Sequence, residues 1–240
     1  MPQTTLRAVR RGLRAEADPE DAVNLQRFFK TGPGQYGEGD RFLGVRVPAL
    51  RRVARAHRDL PLPDAVEMLT SKWHEERLLA LLLLVDRYRR ADAAGKQAVF
   101  DAYLANTQYV NNWDLVDASA PSIVGAHLRP GDTTLLDRFA GSANVWERRI
   151  AVLATFHGIK HREFGPALRM AERLLGDEHD LIHKAVGWML REIGNRDPAT
   201  EEAFLRQHCR MMPRTMLRYA IEKFPEPLRR RYLDGSASSA

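Results

Sequence analysis

Apolar residues recur at spacings of three and four along almost the whole chain, and the strict alternation of a half-buried strand is nearly absent. The pattern predicts an all-α fold. Helices are expected over residues 4–17, 19–30, 48–57, 61–69, 72–90, 93–106, 112–128, 133–140, 145–159, 163–175, 178–195, 198–207 and 213–224. Five of them look like copies of one another: "WHEERLLALLLLVD", "WDLVDASAPSIVGAHL", "WERRIAVLATFHGI", "IHKAVGWMLREIG" and "PRTMLRYAIEKF". They begin at positions 73, 113, 146, 182 and 213, with a second helix filling each gap. That period is the one of a HEAT-like or armadillo-type helical repeat solenoid, in which one helix per repeat lines a concave surface. A single repeat domain over residues 1–232 is expected, with a small, polar, disordered tail over 233–240.

One stretch breaks the pattern. "TGPGQYGEGDRFLGVRVP", residues 31–48, carries five glycines and cannot be a regular helix. It reads as a hairpin or an ordered loop near a ligand. It lacks the lysine and hydroxyl of a Walker A loop, which argues against a nucleotide-phosphate cradle.

Composition narrows the classes. The longest apolar run, Leu78 to Val85, has eight residues where a bilayer-spanning helix needs about 20, so no membrane association is expected. The arginine-rich start of the chain has no apolar stretch of a secretory signal and reads as a first helix. A single Cys209 excludes an internal disulfide and fits a reducing cytoplasm. The net charge of +6 and pI of about 9.7 point to an acidic partner, nucleic acid first among them.

The candidate chemistry begins at "NNWDLVD". Trp113 and Asp117 are four apart and project from one helix face, whereas Asp114 is turned about 100° from Trp113. Asn111 or Asn112 can cap this helix, and Asp114 in its first turn meets exposed N–H groups that favour a negative charge. Asp117 has no such local explanation among Leu115, Val116 and Ala118. It is either a salt bridge to a neighbouring repeat, with Arg149 as the candidate partner, or a functional group. In "NVWERR", Asn144 and Glu147 form a capping-box pattern, Arg149 shares a face with Trp146, and Trp146 reads as core. Lys184, Trp188 and Arg191 place an aromatic between two cations on one stripe. Such a stripe suits a sugar-phosphate backbone, and Arg148 and Arg218 on neighbouring repeat helices are further candidate contacts. "HDLIH", residues 179–183, is a poor zinc motif because the acid is too short and no third ligand follows. Ser119 and Ser122 have no base and orienting acid near them in sequence.

"NNWDLVD", "NVWERRIAVL" and "AVGWMLRE", in this order and at these separations, resemble the AlkD-like alkylpurine DNA glycosylases, which are DNA alkylation repair proteins built from HEAT-like repeats. The resemblance runs from about Gly44 to Phe224. It implies a C-shaped solenoid with duplex DNA in its concave groove, and a catalytic cluster of Trp113, Asp117 and Arg149. Trp188 then contacts the lesion-bearing backbone. It further implies a cofactor-free, monomeric enzyme in a bacterial cytoplasm, at the nucleoid, that releases 7-methylguanine and 3-methyladenine from duplex DNA. The glycine-rich stretch departs from the better-known members. Relatives with an inserted hairpin nearby bind branched DNA without excision, so a non-catalytic DNA binder is the alternative.

Overall fold

The computed structural model describes residues 4–236, and all of the regular structure among them is helical. The helices gather into two compact units, within Met1–Ile123 and Val124–Ala240.

The first unit contains α1 (Leu6–Arg14), α2 (Pro19–Phe28), α3 (Val47–Ala56), α4 (Leu62–Leu69), α5 (His74–Arg90), α6 (Ala93–Leu104) and α7 (Trp113–Ser119). Local chemistry sets their starts. The Thr5 hydroxyl accepts the N–H of Ala8 to open α1, and Asp18 accepts those of Glu20 and Asp21 with Pro19 at the first helical position of α2. α5 is the core, packing against α3, α4, α6 and α7. In its apolar run only Leu82 is not fully buried, and each leucine buried there contributes about 1.5–3 kcal/mol. No helix among the described residues is long and apolar enough to cross a membrane.

The second unit contains α8 (Thr134–Ala140), α9 (Val145–Ala154), α10 (Phe156–Lys160), α11 (Gly165–Arg173), α12 (Asp180–Gly194), α13 (Pro198–His208), α14 (Arg214–Ala220) and α15 (Glu226–Asp234). α12 is its centre, packed against α9, α11, α13 and α14. The contact with α14 is close because Gly187 has no side chain: a Cβ there would lie 2.4 Å from the Met216 carbonyl.

Several boundaries differ from the sequence expectation. The helix expected over 112–128 stops at Ser119, and Pro121 opens a π-helical turn, Pro121–Gly125. Proline has no N–H for the carbonyl four residues back, so a regular α-helix cannot continue through it. The helix expected over 145–159 divides at Thr155, whose hydroxyl donates to the Val152 carbonyl at 2.6 Å. The stretch over 31–47, expected as a hairpin or an ordered loop, is a series of turns, with one isolated bridge between Arg41 and Trp73. At the C-terminal end, α15 runs through Asp234, and Gly235 caps it in the left-handed region at φ 84°. Order therefore extends past the expected start of the tail, and residues 237–240 lie outside those described.

Candidate functional site

The start of α7 is fixed from several directions. Asn112 is its cap, accepting the N–H of Trp113 at 2.8 Å. The same fully buried side chain donates its amide to Asp40 Oδ2 at 3.1 Å. Asp114 turns the other way and meets His74 Nε2 at 2.8 Å. His74 opens α5, and its second ring nitrogen lies 3.0 Å from Asp40 Oδ2. Arg77, one turn further along α5, pairs with the other oxygen of Asp40.

This network is almost wholly out of water, with the side chains of His74, Arg77 and Asp40 exposed by 2%, 4% and 7%. Burial pushes the imidazole pKa down, but the charges and hydrogen bonds of Asp114 and Asp40 outweigh it and lift the value to about 9. Burial likewise pushes Asp40 up, and His74, Arg77 and Asn112 together hold it below the usual carboxylate range.

Aromatic rings complete the support. Phe42 stacks on the imidazole with centroids 4.6 Å apart, and Phe29 leans on it at 4.8 Å. Trp113 stacks on Phe29 at 5.3 Å and meets the edge of Phe28 at 6.0 Å. Phe28 is a large exposed aromatic, 63% accessible. Asp117, half-buried, follows one turn after Trp113 on the same face of α7. Its negative charge helps burial raise the pKa of Tyr103, whose hydroxyl bonds to Ser119. Ser119 itself donates to the Leu115 carbonyl at 2.6 Å, which gives it a structural use.

In the second unit, Arg149 on α9 is buried and donates Nη1 to the Leu181 carbonyl at 2.7 Å. Arg148 Nε bonds Asp177 at 2.7 Å and its Nη1 donates to the carbonyls of Ser142 and Ala143. It is a strut for the turn that precedes α9. The capping-box pattern is realised through an intermediary, since the Asn144 N–H goes to the Ser142 hydroxyl, which donates to Glu147. Trp146 is core, 7% exposed.

On α12, Lys184 pairs with Asp180 at 2.6 Å and Arg191 with Glu222 of the segment after α14. Trp188 is half-buried between them, donates its indole N–H to Glu192 at 3.3 Å, and lies 6.0 Å from Phe156. Lys160 sits over that phenyl ring at 4.3 Å, so cations and aromatics do gather here, through a residue the spacing did not single out. Arg218 is exposed on α14. In "HDLIH", His179 caps α12 by accepting the Leu181 N–H, and His183 bonds the Asp177 carbonyl.

The structure thus places Trp113 and Asp117 together on α7, and Lys184, Trp188 and Arg191 together on α12 beside α9 and α14. Sequence reasoning missed His74, Asp40, Phe28 and Phe29. The heptapeptide "RFLGVRV" beside "HEER" was the available signal that the glycine-rich stretch docks on α5, because Glu75 binds three of its backbone N–H groups.

Comparison with known proteins agrees in kind. The sequence model of the family described as DNA alkylation repair enzyme matches residues 9–224. A solved structure described as a predicted DNA alkylation repair enzyme from Enterococcus faecalis superposes with a TM-score of 0.70 and 21% identity, covering 88% of this chain and 98% of that one. No curated protein matches.

Proposed function

Because the chain belongs to the DNA alkylation repair enzyme family, we propose that it is a monofunctional DNA glycosylase that releases cationic alkylated purines from duplex DNA. The observation that carries this reading is the pairing of Trp113 and Asp117 on one face of a helix whose first turn is fixed by Asn112, Asp114 and Phe29. Preorganised charge and π-density aimed at one place is what a developing cation needs.

Alkylation at N7 of guanine or N3 of adenine leaves a positively charged purine. When its glycosidic bond breaks, the electron pair goes to the base, which departs neutral and needs no proton. The deoxyribose is left electron-poor at C1′. Asp117 stabilises that oxocarbenium-like carbon and orients a water, whose oxygen bonds C1′ and whose proton leaves to the carboxylate or to solvent. Trp113 presents a ring face to the same positive sugar. Arg149 is the proposed holder of the phosphate, which fixes the geometry of the sugar. Lys184, Trp188, Arg191 and Arg218 are the proposed backbone contacts, and no cofactor is required.

A non-catalytic binder of branched DNA is the second reading, suggested by the glycine-rich stretch. Against it, that stretch is not a hairpin, and its Asp40 faces inward to His74, Arg77 and Asn112. The test is release of methylated base from methylated duplex DNA, with binding to duplex and junction measured alongside. Base release supports the glycosylase, and junction binding without release supports the alternative.

A further inference from the structure

His74 contacts neither of the residues assigned to the chemistry, yet it supports both. Its two ring nitrogens lie 3.0 Å and 2.8 Å from oxygens of two different carboxylates, Asp40 and Asp114. A neutral imidazole carries one N–H, so one of these contacts would set a lone pair against a carboxylate lone pair. Only the doubly protonated ring donates to both. The ring position is also set by the main chain, where the His74 N–H donates to the Arg41 carbonyl at 2.8 Å.

We propose that His74 is a charged clamp, a positioning residue that holds Trp113 and Asp117 in register by fastening the first turn of α7 to α5. The inference rests on the glycosylase reading for its consequence in catalysis, but the clamp itself can be tested without it. Two connections run from the ring to Trp113. One runs through the hydrogen bond to Asp114, the residue next to Trp113 in the chain. The other runs through Phe29, against which the imidazolium leans with the ring planes 40° apart and on which the indole stacks. A cation over an aromatic face is attracted to it, and loses that attraction when the charge goes.

The charged groups around the ring are few. Asp40 comes from the glycine-rich stretch, Asp114 from α7, and Glu75 and Arg77 from α5 itself. Glu75 is turned to the backbone N–H groups of Leu43, Gly44 and Val45, and Arg77 is paired with Asp40. That leaves the two carboxylates on the nitrogens as the groups that hold the proton. A buried ion cluster is an expensive way to fill space, since apolar residues of similar volume commonly match or exceed its stability. What the cluster adds is a fixed direction for α7.

The test uses nitrogen-15 NMR of the intact protein together with excision kinetics. With the clamp in place, both ring nitrogens of His74 are protonated at pH 7.5. The Trp113 indole N–H resonance then moves with a midpoint near pH 9 as His74 titrates. A singly protonated ring at pH 7.5, or an indole that ignores the titration, overturns the proposal, whether or not the protein excises bases. In single-turnover assays, His74→Gln is expected to lower the chemical rate at least thirtyfold with DNA affinity within threefold, and to erase the alkaline fall in rate that the wild type shows above about pH 9. A His74→Gln rate equal to wild type, or equal losses in rate and affinity, overturns it. If the variant does not fold, the wild-type NMR titration decides alone.

Discussion

Glu75 accepts the N–H of Gly44 at 2.9 Å inside the core of the first unit, and with the same carboxylate it accepts those of Leu43 and Val45. This turns the end of the glycine-rich stretch into an anchored segment. Gly44 is at φ 82°, and a Cβ there would lie 1.8 Å from the Asp18 carbonyl.

Two substitutions follow from it. Glu75→Gln leaves three donors, two of them buried, with one neutral acceptor oxygen and an amide that repels, and is expected to cost about 2–4 kcal/mol. Gly44→Ala combines left-handed strain with a backbone clash and is expected to cost at least about 2 kcal/mol. Urea unfolding of both variants checks this, and a change below about 0.5 kcal/mol in either would refute the anchor.

His74 makes stability depend on pH. Its pKa rises from 6.5 to about 9 on folding, so its contribution is fully present below about pH 6.5 and is lost as pH rises through about 9. The shift corresponds to on the order of 3 kcal/mol. The slope of unfolding free energy against pH between 7 and 9 is expected to flatten in His74→Gln. An unchanged slope would show that the residue does not titrate with folding.

Asp117→Asn is expected to slow base release by roughly a hundredfold to a thousandfold, as does loss of a single group from other preorganised sites. DNA affinity should be equal or higher, because a negative charge near phosphates has gone. A loss of roughly 3–5 kcal/mol in stability would instead mark a structural ion pair. Rate, affinity and melting temperature measured on one preparation separate the two.

Substrate choice should follow leaving-group charge. 7-Methylguanine and 3-methyladenine are expected to be released, and uracil and hypoxanthine to persist in the same duplex, since no acid is assigned to protonate a neutral base. Liquid chromatography of the released bases reads this directly. Efficient release of either neutral base contradicts the mechanism.

Binding to DNA should weaken with salt. Six or more phosphate contacts imply a fall of about a thousandfold between roughly 50 and 200 mM salt, measurable by fluorescence anisotropy. Replacing Arg218 should lower the slope by about one. Replacing Arg148 should lower stability instead, because its guanidinium holds Asp177 and a turn.

What the sequence revealed is what helical periodicity and capping can encode. Asn112 as cap, the shared face of Trp113 and Asp117, the buried Trp146 and the starts of the repeat helices were all legible locally. The His74 clamp was not, because its partners lie 34 and 40 residues away along the chain. Asp114 shows the cost of that blindness. Read locally, Asp114→Asn looks mild, since asparagine suits a helix start nearly as well. In the structure the same change removes one of two counter-charges from a buried imidazolium, and both stability and rate are expected to fall. Helix α15 was missed for another reason: only Tyr232 of its side chains is buried, too little to make a periodic stripe.

The proline that ends α7 has a further consequence for the main chain of the site. Ala120 stays in the right-handed helical region, and the chain winds on through the π-helical turn Pro121–Gly125. The residue four positions before Pro121 is Asp117, whose carbonyl cannot take the usual α-helical hydrogen bond there, because proline has no N–H. Single π-turns interrupt α-helices frequently at functional sites. Pro121 thus breaks the regular ladder at the residue assigned to the chemistry, and widens the helix just beyond it.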